Sequence, residues 1–132
     1  MDDASIIITE ADHERLLSVL DQHDTPVSES LEAELQRATI VPRGEVPPDV
    51  VTMNSEVVYE IPATGARRTI RLVYPKDANA TAGRISVLAP VGAALLGLHV
   101  GQEIDWAVPS GTKRIRVVEV RYQPEAAGDL TL

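Results

Sequence analysis

Between residues 42 and 49 the chain reads Pro-Arg-Gly-Glu-Val-Pro-Pro-Asp. Three prolines and a glycine in eight residues interrupt any regular element, because proline lacks an N–H and fixes φ. The hydrophobic period changes across this stretch. Before it, apolar side chains recur at helical spacing; after it, they alternate with polar ones as in half-buried strands. The chain therefore reads as two unlike parts: a helical segment with its linker over residues 1–46, and a strand-rich domain over residues 47–132.

In the first part, Thr9 is placed to cap a helix, with Glu10 and Asp12 in the first turn where the helix dipole favours negative charge. Apolar residues at 16, 17 and 20, with Ala11 and His13 one turn earlier, carry the helix to about Gln22. Asp24-Thr25-Pro26 breaks it. A second helix is expected with Ser28 as N-cap and Leu31, Leu35 and Ala38 on one stripe, ending near Ile40 to Pro42. Two helices of about 12 residues joined by a short polar turn make an antiparallel hairpin, each arm roughly 18–20 Å long. So small a pair cannot bury enough apolar surface alone and needs the rest of the protein at its base.

In the second part, Val57, Tyr59 and Ile61 alternate with Glu56, Val58 and Glu60, and Pro62 to Gly65 supplies a turn. Thr69 to Tyr74 alternates again. Ile85 to Leu88, Ile104 to Val108 and Arg114 to Tyr122 read as further strands, with a turn at Pro109-Ser110-Gly111. Ala93 to Leu98 forms a helical turn or two between Gly92 and Gly97. This pattern predicts a compact antiparallel sheet with one short helix, so the whole chain is of the α+β class.

Composition narrows the chemistry. There is no cysteine, which removes disulfides, thiolate metal sites and cysteine nucleophiles, and fits a reducing cytoplasm. There is no Phe, one Trp and three Tyr, so a base-stacking platform for single-stranded nucleic acid is not expected. His13, His23 and His99 stand apart in sequence. No signal-peptide pattern opens the chain, and Val87 to Val100 is too short to span a bilayer. Charge is uneven: residues 1–46 hold 11 acids and three arginines (−8), while residues 47–132 hold nine acids and nine Lys or Arg (0). The acidic part would repel nucleic-acid phosphates. Asp21, Asp24 and Glu29 fall in or beside the helical turn; acids there either decorate and cap the turn or approach a Mg²⁺ held by another molecule. Gly92-Ala-Ala-Leu-Leu-Gly97 is a packing signature rather than a phosphate cradle.

Three stretches carry a family resemblance. They are Val50-Val-Thr-Met-Asn-Ser55; Ile85 to Gly101 with Ile104-Asp-Trp106; and Val120-Arg-Tyr-Gln-Pro-Glu-Ala-Ala-Gly-Asp129. They resemble the GreA/GreB family of bacterial RNA-polymerase factors, and the third resembles its Rnk-type branch. The resemblance implies an FKBP-like sheet domain behind a short coiled-coil finger. It implies RNA polymerase as partner, with the sheet domain on the rim of the secondary channel and the finger entering it. In the cleavage factors of this family, paired acids at the tip hold a catalytic Mg²⁺. Here the finger is shorter, and Asp21-Gln-His-Asp24 lacks the adjacent Asp-Glu pair.

The resulting expectation is a non-enzymatic, cytoplasmic regulator that occupies the polymerase channel entrance and competes with Gre factors. No cofactor, membrane or direct nucleic-acid contact is expected. The partner-binding residues implied are Ala89, Pro90, Val91 and Gly92, in a loop before the short helix, where Gly92 would let a partner backbone approach. Asp21, Asp24 and Glu29 would act at the tip. The rival readings are an active cleavage factor and a peptidyl-prolyl isomerase; the latter needs an aromatic pocket, and the sheet domain offers only Tyr59, Tyr74, Trp106 and Tyr122.

Overall fold

A computed structural model describes residues 6–23, 25–108 and 111–128. The chain opens with strand β1 (Ile7–Thr9), which runs directly into helix α1 (Glu10–Leu20). Thr9 is the N-cap: its hydroxyl accepts from the Asp12 N–H at 3.1 Å. Helix α2 (Pro26–Arg37) follows, and then strand β2 (Thr39–Val41). The α2 cap is Thr25 rather than Ser28. Thr25 and Ser28 exchange side-chain-to-backbone bonds of 3.1 and 2.8 Å in a reciprocal capping box. Pro26 decides this start, because its fixed φ suits the first helical position, where no N–H is needed. Thr25→Ala should lower stability by about 1 kcal/mol, read as a reduced urea midpoint.

Helix α2 also ends sooner than the sequence suggests. Residues 39–41 leave it to pair in parallel with residues 7–9, Ile8 opposite Ile40. This two-stranded ribbon ties the two ends of the hairpin together at its base.

The second part is a five-stranded sheet of β3 (Glu56–Ile61), β4 (Ala66–Val73), β5 (Arg84–Ser86), β6 (Glu103–Val108) and β7 (Gly111–Tyr122), in the order β5-β4-β3-β7-β6. All pairings are antiparallel except β4 with β5, so the sheet is mixed rather than antiparallel throughout. Short 3₁₀ turns at Pro75–Asp77 and Ala80–Ala82 form the crossover that brings β5 alongside β4. Helix α3 (Pro90–Leu95) packs on the sheet, and a second short helix, α4 (Pro124–Ala127), follows β7. The turn expected at Pro109 and Ser110 lies outside the described residues.

One contiguous aliphatic core joins both parts. Leu16, Leu31 and Leu35 from the hairpin meet Val57, Leu72, Leu95, Leu98, Ile115 and Val117 from the sheet and α3. The hairpin is thus anchored at its base, as its small apolar stripe requires. Among the described residues no helix is long and apolar enough to cross a membrane.

Candidate functional site

The segment Ala89–Gly92 is not a loop: it is the start of α3. Ala89 is the N-cap, and its N–H is bonded to the Ser86 carbonyl at 2.9 Å. Pro90 occupies the first helical position and is exposed. Val91 is half-buried and packs on the core. Gly92 is buried, and a Cβ there would lie 2.2 Å from the Ser86 carbonyl oxygen. Its bare backbone serves close packing of α3 on β5 within this chain. Of the four residues, Pro90 alone presents an exposed face.

Pro90 lines an apolar groove of about 310 Å³ between α2 and α3, with Val27, Leu31, Ala93 and Ile104 along its walls. Glu34 and Asp105 stand at its edges. No aromatic side chain lines it, while Tyr59 and Tyr74 are buried in the core. Leu95 and Leu96, in the Gly92–Gly97 packing stretch, are fully buried.

At the far end of the hairpin, Asp21 is the C-cap of α1 and Glu29 stands in the first turn of α2, both exposed. With His23 and Glu32 they line one polar hollow of about 400 Å³. Asp24, the third residue expected here, lies outside the described residues.

A buried polar node links the two parts. Asp12 sits on the buried side of α1, where its carboxylate accepts from the Met53 N–H at 3.1 Å and from the Tyr74 hydroxyl at 3.5 Å. The Arg15 guanidinium lies 4.4 Å from the centre of the Tyr74 ring. Burial, reinforced by the negative charge of Glu125, pushes the Asp12 carboxyl up to about 6; the Met53 N–H, Arg15 and Arg43 oppose that rise. Tyr74 is raised as well, by burial first and then by Asp12. Glu125 accepts from the Thr52 hydroxyl at 2.8 Å, and Thr52 is bonded in turn to Ser55. Gln123 donates to the carbonyls of Pro47 and Val50, both at 2.8 Å. The stretches Val50–Ser55 and Gln123–Glu125 thus meet each other and the hairpin. The position of Asp12 in the first turn of α1 accounts for its charge but not for its burial. Its register with Leu16 and Leu20, on one face at i, i+4 and i+8, is the signal that it faces inward.

Residues 46–122, more than half of the chain, match the family described as transcription elongation factor GreA/GreB, C-terminal. The chain belongs to the GreA/GreB family. Residues 5–41 match the Rnk N-terminus, so this GreA/GreB member carries an Rnk-type hairpin. It is 46% identical to the regulator of nucleoside diphosphate kinase of Escherichia coli K12, over 97% of each chain. It is 38% identical to the transcription inhibitor protein Gfh1 of Thermus aquaticus, over 70% of this chain and 59% of that one. Against GreA of Pelobacter propionicus it is 30% identical, over 72% of this chain and 60% of that factor. Among solved structures, a GreA/GreB factor from Nitrosomonas europaea superposes with a TM-score of 0.76 at 47% identity, covering 89% of this chain and 98% of that one. These relatives bear the names of regulators and transcription factors. In this GreA/GreB chain the two family matches meet between residues 41 and 46, inside the proline-dense stretch.

Proposed function

We propose that this chain is an RNA-polymerase-binding transcription regulator that occupies the entrance of the secondary channel and competes there with Gre factors without stimulating transcript cleavage. The observation that carries the reading is the length of the hairpin. Helices α1 and α2 have 11 and 12 residues, which makes arms of about 16–18 Å. No rearrangement of the turn can lengthen them, so the tip stays near the channel mouth. The full-length match to an Rnk-type regulator, against a match to 60% of a GreA factor, supports the same distinction. A family relative named as a transcription inhibitor supports a role other than cleavage.

In this reading the sheet part, residues 47–132, makes the docking contact through exposed Pro90, together with the groove that α3 shares with α2. Asp21, Asp24 and Glu29 bring negative charge to the channel mouth, where it slows other anions and acidic-tipped factors.

Backtracked elongation complexes given this protein should show no added RNA cleavage. Gre-stimulated cleavage should fall as its concentration rises. Pro90→Asp is the matching variant, since Asp at the first helical position suits the dipole and leaves the core intact. It should weaken co-purification with core polymerase by about tenfold or more, as for an anchoring interface residue. Cleavage products appearing with this protein alone, and lost in Asp24→Asn, would sink the proposal.

A further inference from the structure

On the outer face of the sheet, Arg84 of β5 and Arg71 of β4 stand opposite each other in register on neighbouring parallel strands. Like charges directly opposite destabilise a strand pair. Glu56 of β3 stands opposite Arg71 on its other side and offsets it, whereas Arg84 lies on the edge strand with no further strand beside it. Lys76, from the crossover turn, faces the same open pocket of about 480 Å³, which Asn54, Asn79 and Asp77 complete. Three cations thus converge from three segments against one carboxylate, in a chain whose net charge is −8.

Both guanidinium groups are held in place. Arg71 donates from Nη1 to the Asn54 carbonyl at 2.8 Å, and its guanidinium carbon lies 5.0 Å from the centre of the Tyr122 ring. Arg84 donates from Nε to the Asp77 carbonyl at 3.0 Å. Elsewhere on the sheet, Arg67, Arg114, Arg116 and Arg121 sit in ion pairs with Glu60, Glu103, Asp105 or Glu119. Among the described residues no carboxylate oxygen lies within ion-pair distance of Arg71, Lys76 or Arg84. Both arginines are anchored through backbone carbonyls, which fix the forks without neutralising them.

We propose that this pocket binds the polyphosphate group of a nucleotide-sized anion. A single carboxylate or phosphate would engage one fork. A di- or triphosphate engages two planar forks and the lysine point charge together, which is the arrangement these residues offer. The volume is that of a small-molecule site rather than of a flat nucleic-acid track. Asn79 uses its side-chain oxygen to cap Ala82 at 3.2 Å, which leaves its amide N–H groups as further donors. The site lies apart from the groove at Pro90 and does not depend on polymerase binding.

Titration calorimetry on the full chain, at low and at physiological salt, tests the proposal with four probes: inorganic phosphate, inorganic pyrophosphate, ADP and a short single-stranded RNA. Pyrophosphate and ADP should bind saturably and about tenfold or more tighter than phosphate. Equal affinity for the two would assign recognition to the phosphates alone, and tighter ADP would add the nucleoside. Lys76→Gln and Arg84→Gln, both at exposed positions, should each weaken binding about fivefold or more, with circular dichroism unchanged. Absence of saturable pyrophosphate and ADP binding, unchanged affinity in both variants, or RNA binding without pyrophosphate binding would each overturn it.

Discussion

Gly97→Ala is expected to cost this protein about 3–5 kcal/mol, the sum of a left-handed backbone penalty and an overpacking penalty. Gly97 adopts φ +82, and a Cβ there would lie 2.5 Å from the Cβ of Ile6. Neither atom can rotate away, since both are fixed to backbone. The residue is also bonded on both sides: its N–H donates to the Val51 carbonyl at 2.9 Å, and its carbonyl accepts from the Ile7 N–H at 3.2 Å. It therefore stands where the start of the hairpin crosses the end of α3. Two companions separate the causes. Gly65 has φ +74 with open space around it, so Gly65→Ala should cost only about 1–2 kcal/mol, from the backbone alone. Gly92 carries the steric conflict alone, against the Ser86 carbonyl oxygen, and Gly92→Ala should cost about 2–3 kcal/mol. Urea unfolding at a common m-value reads all three; at ~2 kcal/mol per molar, Gly97→Ala should lower the midpoint by about 2 M. A Gly97→Ala midpoint no lower than that of Gly65→Ala would show that the segment at Ile6 yields without cost.

The second large effect is a pH dependence centred on Asp12. Its carboxyl is raised from 3.8 to about 6 in the folded protein, chiefly by burial. Between those values the folded state binds more protons than the unfolded one, so stability falls as pH rises through that window. Below it both states are protonated; above it the folded protein carries the full cost of a buried carboxylate, on the order of 3 kcal/mol. Asp12→Asn keeps the shape, an acceptor for the Met53 N–H and a polar contact to Tyr74, and it does not ionise. The difference in stability between variant and parent should therefore grow in the variant's favour by most of that amount from pH 4 to pH 7. In thermal unfolding this is roughly 10 °C for a chain of this size. Parallel stability curves for the two proteins across that range would refute the assignment. Asp12→Ala should instead destabilise at every pH, because it leaves the buried Met53 N–H without its acceptor.

The sequence alone determined what is decided within a turn or two of chain. Thr9 as a cap, the leucine stripes of both helices, the break at Pro26, the alternation in β3 and β4 and the dense prolines at 42–49 are local signals. The structure follows the Thr9 cap, the helix break and the leucine stripes closely, while in β3 it buries Val58 together with Val57 and Tyr59. Even its local misses have local causes: Pro26 moved a cap from Ser28 to Thr25, and Pro90 drew Ala89–Gly92 into a helix. The remaining features depend on residues far apart in the chain. Strands β1 and β2 are three residues each, too short to show a period, and they exist because residues 7–9 and 39–41 satisfy each other's backbone. The parallel seating of β5 is set by its crossover rather than by its own residues. Asp12 reads as an ordinary first-turn acid until Met53 and Tyr74 close over it. Arg71, Lys76 and Arg84 are unremarkable in sequence, and only the register of β4 with β5 sets two of them side by side with the third above. Propensity and capping act over neighbouring residues, whereas burial, register and charge convergence are properties of the folded surface, and no stretch of the chain carries them by itself.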